Sequence, residues 1–197
     1  QIAGEVNRIQ STARAIAMTD VLASLSVVAT RYNYVKPHIN EKGIIRKIMG
    51  IYPSWDGSDY HEQTAYTWSY DAYEVADEDK KLAYSRIDRI KSGVDKEPDS
   101  SNSLYLQGHT TSHDPLVSAV FATDEQLKKF PETVIVAAEY DYLRVGSDYA
   151  AKRLASLGVP VRSIRYCGCD HGFLDMLGTI VQSEELCLTI AAELKAL

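Results

Sequence analysis

Apolar residues recur at helical spacing along the first part of the chain: Ile2, Val6, Ile9, Ala13, Ile16 and Ala17, then Val21, Leu25 and Val28 after a break at Thr19-Asp20. Intervals of three and four place them on one face and predict a long helical region with an apolar stripe. Asn33 to Lys42 is polar, contains Pro37 and is followed by Gly43, which predicts a loop. Ile44 to Tyr52 is rich in β-branched residues and stops at Pro53, the pattern of a buried strand. Residues 58–113 change character. Tyr60, Tyr66, Tyr70, Tyr73, Tyr84 and Tyr105 are spread among many acids, with helices expected over Tyr66–Tyr73 and Asp77–Lys91 and a loop over Lys96–Ser103. Thr133 to Ala138 is a continuous apolar run, as in a strand covered on both faces. Val145, Tyr149, Leu154 and Leu157 mark a helix that Gly158 stops. Pro160 to Tyr166 alternates as a strand, and Leu186, Ile190, Leu194 and Leu197 mark a closing amphipathic helix.

Strand, helix, strand, helix with short links predicts an α/β fold, a parallel sheet wrapped by helices. Residues 1–57 and 114–197 are expected to build this core, and 58–113 to be a helical, cap-type insertion. The chain's 197 residues suffice for one domain with a sizeable core. Its 45% hydrophobic and 24% charged content is that of a soluble globular protein. A net charge of −6 argues against nucleic-acid binding, which wants clustered cations. No apolar run is long enough to span a membrane. Cys167, Cys169 and Cys187 are few and odd in number, which gives no disulfide framework and fits a reducing, cytoplasmic setting.

Two residues stand where chemistry gathers in parallel sheets, at strand ends. Asp141 follows the apolar strand, in Ala138-Glu139-Tyr140-Asp141-Tyr142-Leu143. His171 follows the next strand by five residues, in Cys169-Asp170-His171-Gly172-Phe173. If the strands pair, the carboxylate can accept the imidazole Nδ1 proton, fixing the tautomer and freeing the other ring nitrogen as a general base. An aspartate after a strand is ordinarily a turn former, and a lone histidine ordinarily a surface or core residue. The acid-then-histidine order at successive strand ends sets this pair apart.

Asp114-Pro115-Leu116-Val117-Ser118, the run Phe130 to Arg144, the helix Tyr149 to Val161 and His171-Gly172-Phe173 together resemble the hormone-sensitive-lipase-like esterases of the α/β-hydrolase superfamily. Ile51-Tyr52-Pro53 with Asp56 is similar to the end of that family's sixth strand. The resemblance is specific over about 114–175, fair over 44–56 and poor over 58–113, where the family places variable cap segments. It implies a partial α/β-hydrolase, with Asp141 as triad acid and His171 as triad base. The implied activity is that of a serine carboxylesterase or lipase-like hydrolase cleaving small or medium acyl esters, with no metal or organic cofactor.

The family's nucleophile lies in Gly-x-Ser-x-Gly on a strand-to-helix turn, with a Gly-rich oxyanion loop upstream. Neither motif occurs in this sequence. On one explanation Gln1-Ile2-Ala3 opens the helix that follows the elbow, as in members where Gln-Ile-Ala succeeds the motif, and the serine lies upstream. On the other, Ser11 is a degenerate nucleophile. The first is preferred, because Ser11 sits inside a helical stripe without flanking glycines or a preceding strand. The chain is then expected to pair with a missing N-terminal half of the fold or to self-associate through an unpaired sheet edge. The alternative is a non-catalytic α/β-hydrolase-like binding or assembly module. His109, His113 and Asp114 are spaced like a metal pair with a helper, but Gly108 and Pro115 predict a loop there and no metal is expected.

Overall fold

The computed structural model describes residues 45–58, 63–94, 106 and 108–197, all within the second of two units into which the chain divides, Ile45–Leu197. The helical stripe at 2–28, Gln1-Ile2-Ala3 and Ser11 lie outside the described residues.

Three strands form a parallel sheet in the order β1-β2-β3. They are β1 (Lys47–Ile51), β2 (Glu132–Tyr140) and β3 (Val161–Asp170). The central strand is covered on both faces, as its unbroken apolar run requires. Ile135 points into one cluster, with Trp55, Val120, Leu127, Ala150, Ala151 and Leu154. Val134, Val136 and Ala138 point into the other, with Tyr166, Phe173 and Leu186. Period-two alternation of the pleat divides the run between two layers. Each aliphatic side chain so buried stabilises the fold by about 1.5–3 kcal/mol.

Four helices complete the described architecture: α1 (Lys80–Val94), α2 (Asp124–Leu127), α3 (Arg144–Ser156) and α4 (Val181–Lys195). Helix α3 packs Ala150, Ala151 and Leu154 on one side of β2. Helix α4 packs Leu186 on the other. Short α2 carries a capping box: the Thr123 hydroxyl accepts from Gln126 N–H, and the Gln126 side chain accepts from Thr123 N–H.

The 58–113 stretch contains no strand among its described residues. Of its two expected helices, the second is present as α1, preceded by a 3₁₀ turn at Asp77–Asp79. The first is corrected: only a 3₁₀ turn at Tyr70–Ala72 forms, started by Ser69, whose hydroxyl accepts from Asp71 N–H. The aromatic side chains there are drawn into a cluster instead. Trp68, Tyr73, Ile87 and Tyr142 are its buried members, and Trp68 Nε1 donates to the Tyr142 carbonyl at 3.2 Å.

Candidate active site

Three successive loops leave the C-terminal ends of β1, β2 and β3, and each brings one side chain to the same rim. The β1 loop begins at Tyr52, whose φ of 36° is unusual for a residue with a side chain. Its N–H donates to the Val136 carbonyl at 2.7 Å, continuing the ladder with β2. The ring then turns edge-on to His171, with centroids 4.8 Å apart, and to Phe173 at 5.7 Å.

Asp141 begins the β2 loop and is 1% exposed. Its two carboxylate oxygens have separate tasks. Oδ1 accepts the Leu143 N–H at 3.0 Å, and Oδ2 stands 2.9 Å from His171 Nδ1. Behind them, the Tyr73 hydroxyl donates to the Asp141 carbonyl at 2.8 Å. Burial pushes the Tyr73 phenol well above its ordinary range, so it remains a neutral donor. Arg144 opens α3 and is itself buried. It donates to the carbonyls of Glu139 and Ala72, pairs with Asp148 at 2.9 Å and lies over the Tyr73 ring at 4.3 Å. The Asp141 turn is thus fastened on both sides.

His171 was expected five residues beyond its strand, but β3 runs on to Asp170 and the histidine follows it directly. The register explains the difference. Ala138 pairs with Tyr166 and Tyr140 with Asp170, so β3 spends four residues where β2 spends two. Gly168, at φ +73°, lies in this bulge, and its N–H donates to Glu139 Oε2 at 2.7 Å. The alternation ends at the bulge, which is why the apolar pattern stopped at Tyr166. The His171 side chain is 27% exposed, and Nε2 is the ring nitrogen not directed at Asp141.

Beside His171 lies a pocket of about 520 Å³ lined by Tyr52, Arg86, Arg89, Asp170, Asp175 and Met176, with Gly172 at its edge. Burial, aided by the charge of Asp175, raises the Tyr52 phenol above its ordinary pKa, which keeps it uncharged at neutral pH. Sequence reasoning passed over Tyr52, Tyr73, Arg86, Arg89 and Arg144. For Arg86 and Arg89 a signal existed: three residues apart on a predicted helix, they share a face. Tyr73 and Arg144 act through backbone carbonyls, which leave no trace in a sequence pattern.

The other singled-out residues lie elsewhere. His109 and His113 fall in a run of turns and bends over 108–117 that includes Asp114, whose carboxylate accepts from Leu116 N–H and the Thr110 hydroxyl. The His113 ring packs on Phe121 at 4.3 Å. No group of three or more metal-ligating side chains is found among the described residues. Cys167, Cys169 and Cys187 are all free, and burial pushes the Cys169 thiol up to about 11. No helix among the described residues is long and apolar enough to cross a membrane.

The described part of the chain is a three-stranded parallel sheet flanked by helices, with Asp141 and His171 meeting at adjacent strand ends. The family described as alpha/beta hydrolase fold matches residues 22–175, and the chain belongs to it. An arylesterase of Saccharolobus solfataricus is 32% identical over 118 residues, 58% of this chain and 37% of that protein. A DNA mismatch repair protein MutS of Alkaliphilus metalliredigens is 49% identical over 53 residues, 27% of this chain and 6% of that protein. The solved structure of carboxyl esterase 2 from Tuber melanosporum shares the fold, with a TM-score of 0.55 at 24% identity over 88% of this chain and 49% of that one. The chain spans about half or less of the length of these proteins.

Proposed function

We propose that this chain is the C-terminal part of a serine carboxylesterase or lipase-like hydrolase acting on small or medium acyl esters, with the nucleophilic serine supplied from upstream of Gln1. One observation carries this reading: Asp141 Oδ2 and His171 Nδ1 stand 2.9 Å apart at the rim of the sheet. In the proposed reaction the serine hydroxyl attacks the ester carbonyl and passes its proton to His171 Nε2. Asp141 holds the tautomer and stabilises the imidazolium. The imidazolium then protonates the leaving alcohol, and water repeats the sequence on the acyl-enzyme. The Asp141 carboxylate keeps its orientation through Leu143 N–H, so it stays aimed at Nδ1 throughout.

The test is hydrolysis of a short-chain nitrophenyl ester by the full-length gene product. His171→Ala is expected to abolish triad turnover. Asp141→Asn, which preserves shape but presents the wrong partner to Nδ1, is expected to lower kcat by roughly 10³–10⁴-fold. Undiminished turnover in His171→Ala removes the triad from the mechanism.

A second reading is favoured by the mismatch-repair likeness. Its identity is higher than that of the arylesterase, over a much shorter stretch. On this reading the chain is a non-catalytic α/β-hydrolase-like module used for binding or assembly, which shares a stretch of 53 residues with MutS. The codons preceding Gln1 separate the two. An in-frame Gly-x-Ser-x-Gly directly before Gln1 supports the enzyme, whereas a start codon there with no such motif supports the non-catalytic module.

A further inference from the structure

Helix α1 belongs to the 58–113 insertion, yet two of its side chains reach the loop that carries the histidine. Arg89 Nη2 donates to the backbone carbonyl of His171 itself and lies 3.4 Å from Asp170 Oδ2. One turn earlier, Arg86 Nη1 lies 3.8 Å from the same carboxylate oxygen. The partners are more than eighty residues apart in sequence. The opposite face of α1 is anchored: Ile87 is fully buried, with Tyr84 and Ile90 packed beside it against Trp68, Tyr73 and Tyr142. Tyr73 in turn donates to the Asp141 carbonyl. The insertion therefore touches both the acid and the base through their backbones.

We propose that Arg89 is a positioning residue: its guanidinium, steered by Asp170, clamps the His171 carbonyl and fixes where the imidazole sits relative to Asp141. The inference rests on the triad reading for its bearing on turnover, and its geometry is independent of it. The argument is one of degrees of freedom. Asp141 holds the ring at Nδ1, but the backbone that carries the ring is followed at once by Gly172, at φ +83°, and by a 3₁₀ turn at Phe173–Met176. Phe173 anchors the downstream side, where its ring is buried and its carbonyl accepts from the Ser183 hydroxyl at 2.6 Å. Upstream, the β3 bulge leaves the strand out of step with β2. A charged donor on the His171 carbonyl supplies a constraint between the bulge and the Phe173 anchor, and a hydrogen bond from a cation is among the stronger kinds. Both contacts run from Nη2, which carries a hydrogen for each acceptor on a planar, always charged guanidinium. Exposure of the Arg89 side chain is 49%, so its pair with Asp170 adds little to global stability. Its effect is local.

The experiment uses the 197-residue chain and needs no turnover. The imidazole Nδ1 proton of His171 is followed by NMR and assigned by its absence in His171→Ala. Solvent exchange of that proton is expected to quicken roughly five-fold in Arg89→Ala and by less in Arg89→Lys. Amide signals of the β2 strand should stay in place. Equal exchange in wild type and Arg89→Ala overturns the proposal. If Arg89→Ala loses its folded spectrum, Arg89→Lys and Asp170→Asn carry the test, and unchanged exchange in both overturns it equally. In the full-length product, Arg89→Ala is expected to lower kcat about five-fold with KM unchanged. A rise in KM with kcat unchanged would assign Arg89 to substrate binding and refute positioning. His171→Ala measured alongside keeps the two claims apart: full activity there refutes the triad, and an unaltered Arg89→Ala beside a dead His171→Ala refutes only the clamp.

Discussion

Two glycines near the site are required for opposite reasons. At Gly172 there is room for a methyl group, since the nearest neighbour of an added Cβ is Asp175 Oδ2 at 3.8 Å. What forbids it is the backbone, at φ +83°. Gly172→Ala is expected to destabilise by about 1 kcal/mol through left-handed strain, read as a lowered denaturation midpoint, and to displace the His171 ring. At Gly146 the helical backbone tolerates any residue, but an added Cβ would meet the Tyr66 hydroxyl at 2.8 Å. Gly146→Ala is expected to lose roughly 1–3 kcal/mol by overpacking, and the Gly146→Ala/Tyr66→Phe double variant should recover part of it. Equal losses in the single and double variants would show that the Tyr66 oxygen is not the obstacle. Neither requirement is legible in the sequence. Asp141 and His171 were legible, because each follows a strand whose pattern is plain. Tyr52 was not, since its role depends on a backbone turn that no local pattern encodes.

At the scale of elements, the sheet is tied to its covering helix by charge. Lys47 of β1 lies 2.7 Å from Glu193 of α4, and Arg162 of β3 pairs with the same carboxylate. The Lys47 hydrogen bond is the leading cause holding the Glu193 carboxyl below its ordinary 4.5. A depressed carboxyl contributes stability that is fully present above its ordinary pKa and is lost as pH falls through the folded value. Glu193→Gln should therefore be less stable than wild type at neutral pH, and the two should converge on acidification below about pH 4.5. Urea unfolding at a series of pH values measures this, and a constant gap across the range would refute it. The strands were readable because apolar runs of this kind are diagnostic when both faces are covered. The 66–73 stretch misled for a physical reason: its tyrosines and Trp68 satisfy one another in a cluster, and packing of that kind overrides a weak helical spacing.

For the molecule as a whole, β1 has β2 on one side and no strand pairing its other edge among the described residues. A sheet edge left without a partner strand invites another strand to pair with it. On the proposed reading the 197-residue chain is expected to self-associate with rising concentration. Sedimentation of the 197-residue chain checks this, and a monomer at every concentration would count against it. The bulge between β2 and β3 has a further consequence for how such a molecule can change. Between Tyr166 and His171 the residue count acts as a gauge, because one residue of strand is worth about 3.3 Å, while Asp141 and His171 meet within 2.9 Å. Deleting a single residue there is expected to shift the imidazole from its 2.9 Å contact with the carboxylate, read as a loss of turnover in the full-length product. The number of residues in this short stretch is therefore constrained as closely as their identity, since Tyr166 and Cys169 are buried and Gly168 stands at φ +73°.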